Sequence, residues 1–254
     1  MIFLLSPSKG QDFNSQLPPH TSSQPENLDR SQQLVDCLRE YDQAGLGQLM
    51  SISEKLAALN HARFQNFQLP FTEENGRSAL FAFTGDVYSQ IPAFDYSEKD
   101  LQFAQDHMRI LSGLYGCLRP LDLIQPYRLE MKTRLKNPGG KNLYEFWGDT
   151  PTEALNHLVA KRNEKSIINL ASGEYFKVIK AKKLDGQLIT VQFKEEKNGV
   201  LKTIAIHAKR ARGMMADFII SGHLNEPEQL KDFTGGGYRF SPEGSKTDTY
   251  LFSR

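Results

Sequence analysis

Two cysteines in 254 residues leave no disulfide framework, and that scarcity points to a reducing compartment, here read as cytoplasmic. Cys37 and Cys117 read as small buried apolar side chains rather than reactive thiols. No apolar run reaches the roughly 18 residues that a membrane helix needs, so no membrane partner is expected. The opening Met1-Ile2-Phe3-Leu4-Leu5 has no basic stretch before it and stops at Ser6-Pro7-Ser8-Lys9. That is too early for a signal peptide, and the segment reads as a buried strand. The six histidines (His20, His61, His107, His157, His207, His223) are scattered, with no Cys or carboxylate at ligand spacing. Neither a metal nor another cofactor is therefore expected. A Walker-type loop and a Ser or Cys nucleophile elbow are also missing, and Gly235-Gly236-Gly237 reads as a turn.

What is present is the composition of a folded chain, 39% hydrophobic and 24% charged, long enough to bury a core without staples. The formal net charge of +1 hides an asymmetry: residues 1–118 carry 8 Lys+Arg against 14 Asp+Glu, and residues 119–254 carry the other 23 against 16. A basic half can point to an anionic partner. The alternative is that the charges interleave in space.

No repeat or linker divides the chain. The polar, proline-bearing stretch Gln11 to Asn27 reads as a surface loop. Leu28, Leu34, Val35, Leu38 and Tyr41 give one helical face, and Ser51 with Glu54 fits a capping box for the next helix. Ala79 to Phe83 suggests a short buried strand. Ser97 with Asp100 starts a helix whose face runs through Leu101, Ala104, Met108 and Leu111. Ser166 to Leu170 reads as another buried strand. The clearest local signal is a hairpin, with Ile189, Val191 and Phe193 alternating on one arm and Val200, Lys202, Ile204 and Ile206 on the other. Asn198-Gly199 supplies the left-handed turn between them. A last helix runs from about His207 past Ile220. Helices and strands mix without a strict βαβ rhythm, which favours one α/β (mixed α+β) domain over residues 1–254.

The segment His107 to Pro120 is the most informative. A helix ending at Leu111, an apolar-x-Gly-apolar-x-Gly turn at Gly113 and Gly116, and Pro120 in the first turn of a second helix resemble a helix-hairpin-helix element over about 98–125. Glycines there would let backbone N–H groups approach a phosphate, with Arg109 and Arg119 adding charge. Such contacts hold DNA by its backbone and read no sequence directly. The alternative is a tight turn between packed helices. Basic residues then accumulate: Arg119, Arg128, Lys132, Arg134, Lys136 and Lys141, next Lys177, Lys180, Lys182 and Lys183, and last Lys209, Arg210 and Arg212. Tyr127, Tyr144, Trp147, Tyr175 and Phe176 lie near them, as in a nucleic-acid groove. Each run alone is equally a solvated face.

A second set of polar residues sits among apolar ones: Lys9, Arg63, Asp86, Tyr88, Glu130 and Glu174. Several follow strands, where active sites of α/β proteins gather. Each is otherwise a paired structural ion.

The blocks Ser6-Pro7-Ser8-Lys9, Met50 to Ala57, Asn60 to Phe64, Ala82 to Tyr88, Leu111 to Gly116, Arg119 to Asp122, Pro126 to Met131, Phe146 to Asp149, Asn169 to Ser172, Glu174-Tyr175-Phe176 and Lys209 to Gly213, in this order, resemble the DUF328 (UPF0246) family of peroxide stress proteins across essentially the whole chain. Gly10 stands where a close relative is expected to have threonine. The resemblance implies one domain of an unusual mixed fold, with a helix-hairpin-helix element beside a basic cleft. It also implies binding of double-stranded or branched DNA without marked sequence preference, and limitation of iron-linked peroxide damage. On that reading Arg109, Gly113, Gly116, Arg119, Arg128, Lys132, Arg134, Lys177, Lys209 and Arg212 meet DNA, and a monomer is favoured. The alternative is an enzyme acting on a nucleotide or nucleic acid through Lys9, Asp86, Tyr88, Arg119, Glu130 and Glu174, and convergence of those side chains is what would distinguish it. Direct iron binding is disfavoured by the scattered histidines.

Overall fold

The apolar start of the chain becomes the middle of a sheet. In the computed structural model, which describes residues 1–254, the strands are β1 (Ile2–Leu5), β2 (Arg77–Ser78), β3 (Met108–Ser112), β4 (Gly116–Leu118), β5 (Leu123–Ile124), β6 (Ser166–Asn169), β7 (Gln187–Lys197), β8 (Val200–Lys202), β9 (Arg239–Phe240) and β10 (Thr249–Ser253). The α-helices are α1 (Leu28–Arg39), α2 (Gln43–Met50), α3 (Glu54–Asn66), α4 (Ala79–Ala82), α5 (Glu98–His107), α6 (Leu143–Trp147), α7 (Thr150–Ala160), α8 (Gly173–Phe176) and α9 (Ala205–Ser221). The main sheet runs β4-β3-β1-β6-β7-β10-β9, with β8 on the far end of β7, while β2 and β5 form a separate pair. Strands β3, β1, β6, β7 and β10 are parallel, and β4 and β9 are antiparallel at the edges.

All four residues of β1 and all four of β6 are buried. β1 therefore reads as a continuous apolar run, as a strand covered on both faces does, whereas β6 places Ile167 and Ile168 between buried Ser166 and Asn169. Phe3 sits level with Met108 on one side and Ile168 on the other. From β1 the parallel path continues to β3 on one side; from β6 it continues to β7 on the other. The order thus reverses between β1 and β6, and the loops at their carboxyl ends part to leave a crevice.

Several local expectations hold. The 187–202 hairpin closes through a two-residue turn at Asn198 (φ 55°) and Gly199 (φ 73°). Its second arm ends at Lys202, and Ile204 and Ile206 belong instead to the start of α9. Ser97 and Asp100 form the expected reciprocal cap of α5, with Asp100 N–H donating to Ser97 Oγ at 3.3 Å and Ser97 N–H to Asp100 Oδ2 at 3.0 Å.

Others are corrected. Ala79–Ala82 is a single helical turn, not a strand. Glu54 starts its helix behind Ser53, and Ser51 instead ends α2 in a left-handed conformation (φ 53°). Residues 98–125 contain a helix followed by a β-hairpin, not two helices. Met108 and Leu111 fit helical spacing, but every residue from Met108 to Ser112 is buried because this stretch enters the sheet beside β1. The glycines serve close packing. A Cβ on Gly113 would lie 2.3 Å from the Leu129 carbonyl oxygen, and one on Gly116 (φ +73°) would lie 2.7 Å from the Trp147 ring. Trp147 Nε1 donates to Gly113 O at 3.0 Å across the same contact. Both glycines are buried, so this turn has no backbone free for a phosphate.

Candidate functional site

The crevice between β1 and β6 is built from their own continuations. Leu170 N–H extends the ladder to Leu4 O at 3.0 Å. Ser172 N–H then donates to Ser6 Oγ at 2.8 Å, which ties the two departing loops together. The segment after α4 forms a third wall, fastened by Tyr88, whose hydroxyl donates to Ser6 O at 2.9 Å. Against it lies α9, and contact is close because Gly213 has no side chain: a Cβ there would sit 2.0 Å from Val87 O. That seating brings Lys209 and Arg212 to the crevice. Glu130 and Lys132, with Glu174 and Tyr175 of α8, complete it. The enclosed cleft is about 340 Å³ and is also lined by Ser8, Gly85 and Asp86.

Glu130 is the electrostatic centre. Its carboxylate takes Lys9 Nζ at 3.0 Å, Lys132 Nζ at 3.2 Å and Arg128 Nη2 at 3.3 Å. Burial pushes this carboxyl up, but the hydrogen bonds and charges of Lys9 and Lys132 outweigh it and hold it below the usual carboxylate range. Lys132 also approaches Glu174 at 3.8 Å, and Glu130 raises its ammonium above the ordinary value. Asp86 faces Arg210 at 3.7 Å and Lys209 at 4.0 Å. Burial raises the Tyr175 phenol well above its ordinary range, with Tyr127 and the nearby Glu174 and Glu130 adding to the effect. Tyr88 is raised for the same first reason. The cleft therefore offers the ionised Glu130 carboxylate as an acceptor beside exposed lysine donors, with the Tyr175 phenol kept neutral.

A family model described as peroxide stress protein YaaA matches residues 1–244. The chain belongs to this family. The matched span contains every cleft residue of this YaaA-family chain, so the family and the cleft coincide in sequence.

Of the residues the sequence singles out for chemistry, Lys9, Asp86, Glu130 and Glu174 converge on the cleft, and Tyr88 braces it from behind. Arg63 does not join them; it lies on α3 and donates to Asn60 Oδ1 at 3.4 Å. Arg119 is also elsewhere. Its guanidinium is spent on buried Asp122 at 2.8 Å and on Gln24 O at 2.8 Å, holding the turn after β4. Arg109 is buried within β3 and donates to the carbonyls of Gln105 and Met108. Arg109, Gly113, Gly116 and Arg119 are thus structural, each removed from solvent or committed by tertiary packing. Arg128 is largely covered and paired with Glu130, and Arg212 faces the cleft. Lys132, Arg134, Lys177 and Lys209 remain exposed.

Sequence reasoning gave Ser6, Ser172 and Tyr175 no place in a polar pocket, and assigned Arg212 to DNA rather than to this cleft. The one available signal was the Arg212-Gly213 pair three residues after Lys209, a helical step that turns both basic groups the same way. A larger cavity of about 650 Å³, lined by Ser166, Gln187, Lys231 and Tyr250, opens at the opposite ends of β6 and β7. None of the residues singled out for chemistry reaches it, so size alone does not make it the stronger candidate.

Proposed function

We propose that the cleft is the working site, and that the protein serves the peroxide stress response as an enzyme acting there on a nucleotide or nucleic-acid substrate. One observation carries this reading: Lys9, Asp86, Glu130 and Glu174, from four separate chain segments, meet in one cavity at the point where the strand order reverses. A carboxylate shifted by specific charged neighbours inside a cleft supports it. The test is incubation of the purified protein with a panel of nucleotides and of single- and double-stranded oligonucleotides, with products followed by mass spectrometry. Turnover should fall roughly 100-fold or more in Glu130→Gln and Lys9→Met. No turnover by the wild type, or turnover indifferent to both changes, would remove the reading.

A second reading is favoured by the exposed cations around the mouth. Lys9, Lys132 and Lys209 line the cleft with side chains more than half exposed (57%, 64% and 56%), and Arg134 and Lys177 lie exposed on flanking segments. On this reading they hold the backbone of duplex or branched DNA without marked sequence preference, and so help limit iron-linked damage. Neutralising about six phosphates would give a log–log salt slope near −5. Lys132→Gln with Lys209→Gln should flatten that slope by about 2 in fluorescence anisotropy; an unchanged slope would count against it.

A further inference from the structure

We infer that Arg212 is an anion anchor, which holds the oxyanion of a small ligand, a phosphate or a carboxylate, inside the cleft. The inference rests on reading the cleft as a ligand site and adds the chemical class of the ligand.

The other cations lining the cleft already have carboxylate partners. Lys9 is 3.0 Å from Glu130, Lys132 is 3.2 Å from Glu130 and 3.8 Å from Glu174, and Lys209 is 4.0 Å from Asp86. Arg212 has none. Its Nε is shut off from solvent with no acceptor, and the side chain makes neither an ion pair nor a hydrogen bond with the protein. Burial alone depresses the guanidinium, with no carboxylate raising it again. Arginine stays charged even so, and a partly desolvated charge without a counter-ion gains more than an exposed one when an anion arrives to pair with it.

Its place is imposed rather than incidental. Gly213 presses the α9 backbone onto Val87 O, and Ala211, Met215 and Ala216 are buried on either side, so the helix cannot roll to carry Arg212 outward. Neighbouring Arg210 turns out to Asp86 instead. A guanidinium presents a flat fork of donors that suits two oxygens of one phosphate or carboxylate. The cleft, about 340 Å³, has the volume of a small-molecule site and is too small for a duplex. The lysines and carboxylates in the same cleft suit hydroxyl or amino groups elsewhere on that molecule.

The test is isothermal titration of the intact protein with inorganic phosphate, with acetate, with adenosine 5′-monophosphate and with a short DNA duplex. Saturable binding of at least one small probe is expected, and phosphate against acetate identifies the oxyanion. Arg212→Gln should weaken that binding about tenfold or more, Arg212→Lys should fall between, and Lys161→Gln, outside the cleft, should match the wild type. Near-UV circular dichroism verifies the fold of each variant. Because a partly buried, unpaired charge is removed, ligand-free Arg212→Gln should keep or raise the Tm, whereas a purely structural arginine would lower it. Failure of every small probe to bind the wild type, wild-type affinity in folded Arg212→Gln, or binding of duplex alone would overturn the assignment. If Lys9→Met with Glu130→Gln abolishes binding while Arg212→Gln does not, the cleft stands and the anchor falls. If neither matters, both fall.

Discussion

Lys9 Nζ lies 3.0 Å from Glu130 Oε1, joining the loop that leaves the first strand to the segment beyond β5. Lys132 and Arg128 close on the same carboxylate, so one mostly covered anion serves three cations.

Replacing that anion leaves the three cations facing one another. Glu130→Gln should destabilise the fold by about 1–2 kcal/mol, a modest figure because Lys9 and Lys132 are exposed and screened. The pH sign follows from its depressed native value. The contribution is present above the ordinary carboxylate value of 4.5 and disappears as pH falls through the lower native one. Urea denaturation at neutral pH and under acid conditions checks this: the gap between wild type and variant should narrow in acid.

Gly113→Ala places a methyl 2.3 Å from the Leu129 carbonyl oxygen, against backbone that has little room to yield. The expected loss is about 2–3 kcal/mol in urea denaturation. DNA affinity, measured on the folded fraction, should be unchanged.

His107 is held neutral. It stacks on Phe103 with ring centroids 4.1 Å apart, its Nδ1 donates to Met1 O at 2.7 Å, and Arg162 donates to its Nε2 at 3.3 Å. Burial lowers its pKa from 6.5 to about 4. Between those values the unfolded chain binds a proton that the folded chain refuses, so stability falls as pH drops through that window. A Tm profile of His107→Gln should be flatter there than that of the wild type, whatever its absolute height; parallel profiles would contradict the assignment.

Ser97 closes the first turn of α5 by accepting from Asp100 N–H. Ser97→Ala should cost about 1 kcal/mol, read as a Tm lower by about 2–4 °C. Ser97→Asn should restore most of it, since asparagine caps as well.

Much of the fold was legible wherever the deciding interactions are local. The alternation of Ile189, Val191 and Phe193 and the Asn198-Gly199 turn specify the hairpin, because both the two-residue period and the left-handed turn are properties of a short segment. The Ser97–Asp100 cap and the long helix through Ile220 are of the same kind. Reading failed at Met108–Ser112, where burial on both faces erases the alternation that separates strand from helix. It failed again at Ala79–Ala82, where four apolar residues are too few to reveal a period.

The candidate site divides the same way. Sequence alone determined which residue types were available: a lysine after the first strand, acidic groups after apolar runs, and basic residues concentrated in the second half. Only the tertiary structure decided their use. Lys9 meets Glu130, and Asp86 meets Lys209 and Arg210, so charged groups from the two halves of the chain share one cleft. Gly113 and Gly116 turn inward because Trp147 and Leu129 pack on them, and Arg212 goes unpaired because Gly213 seats α9 against Val87. Pairing and burial depend on segments far apart in the chain, and local spacing does not encode which distant group arrives.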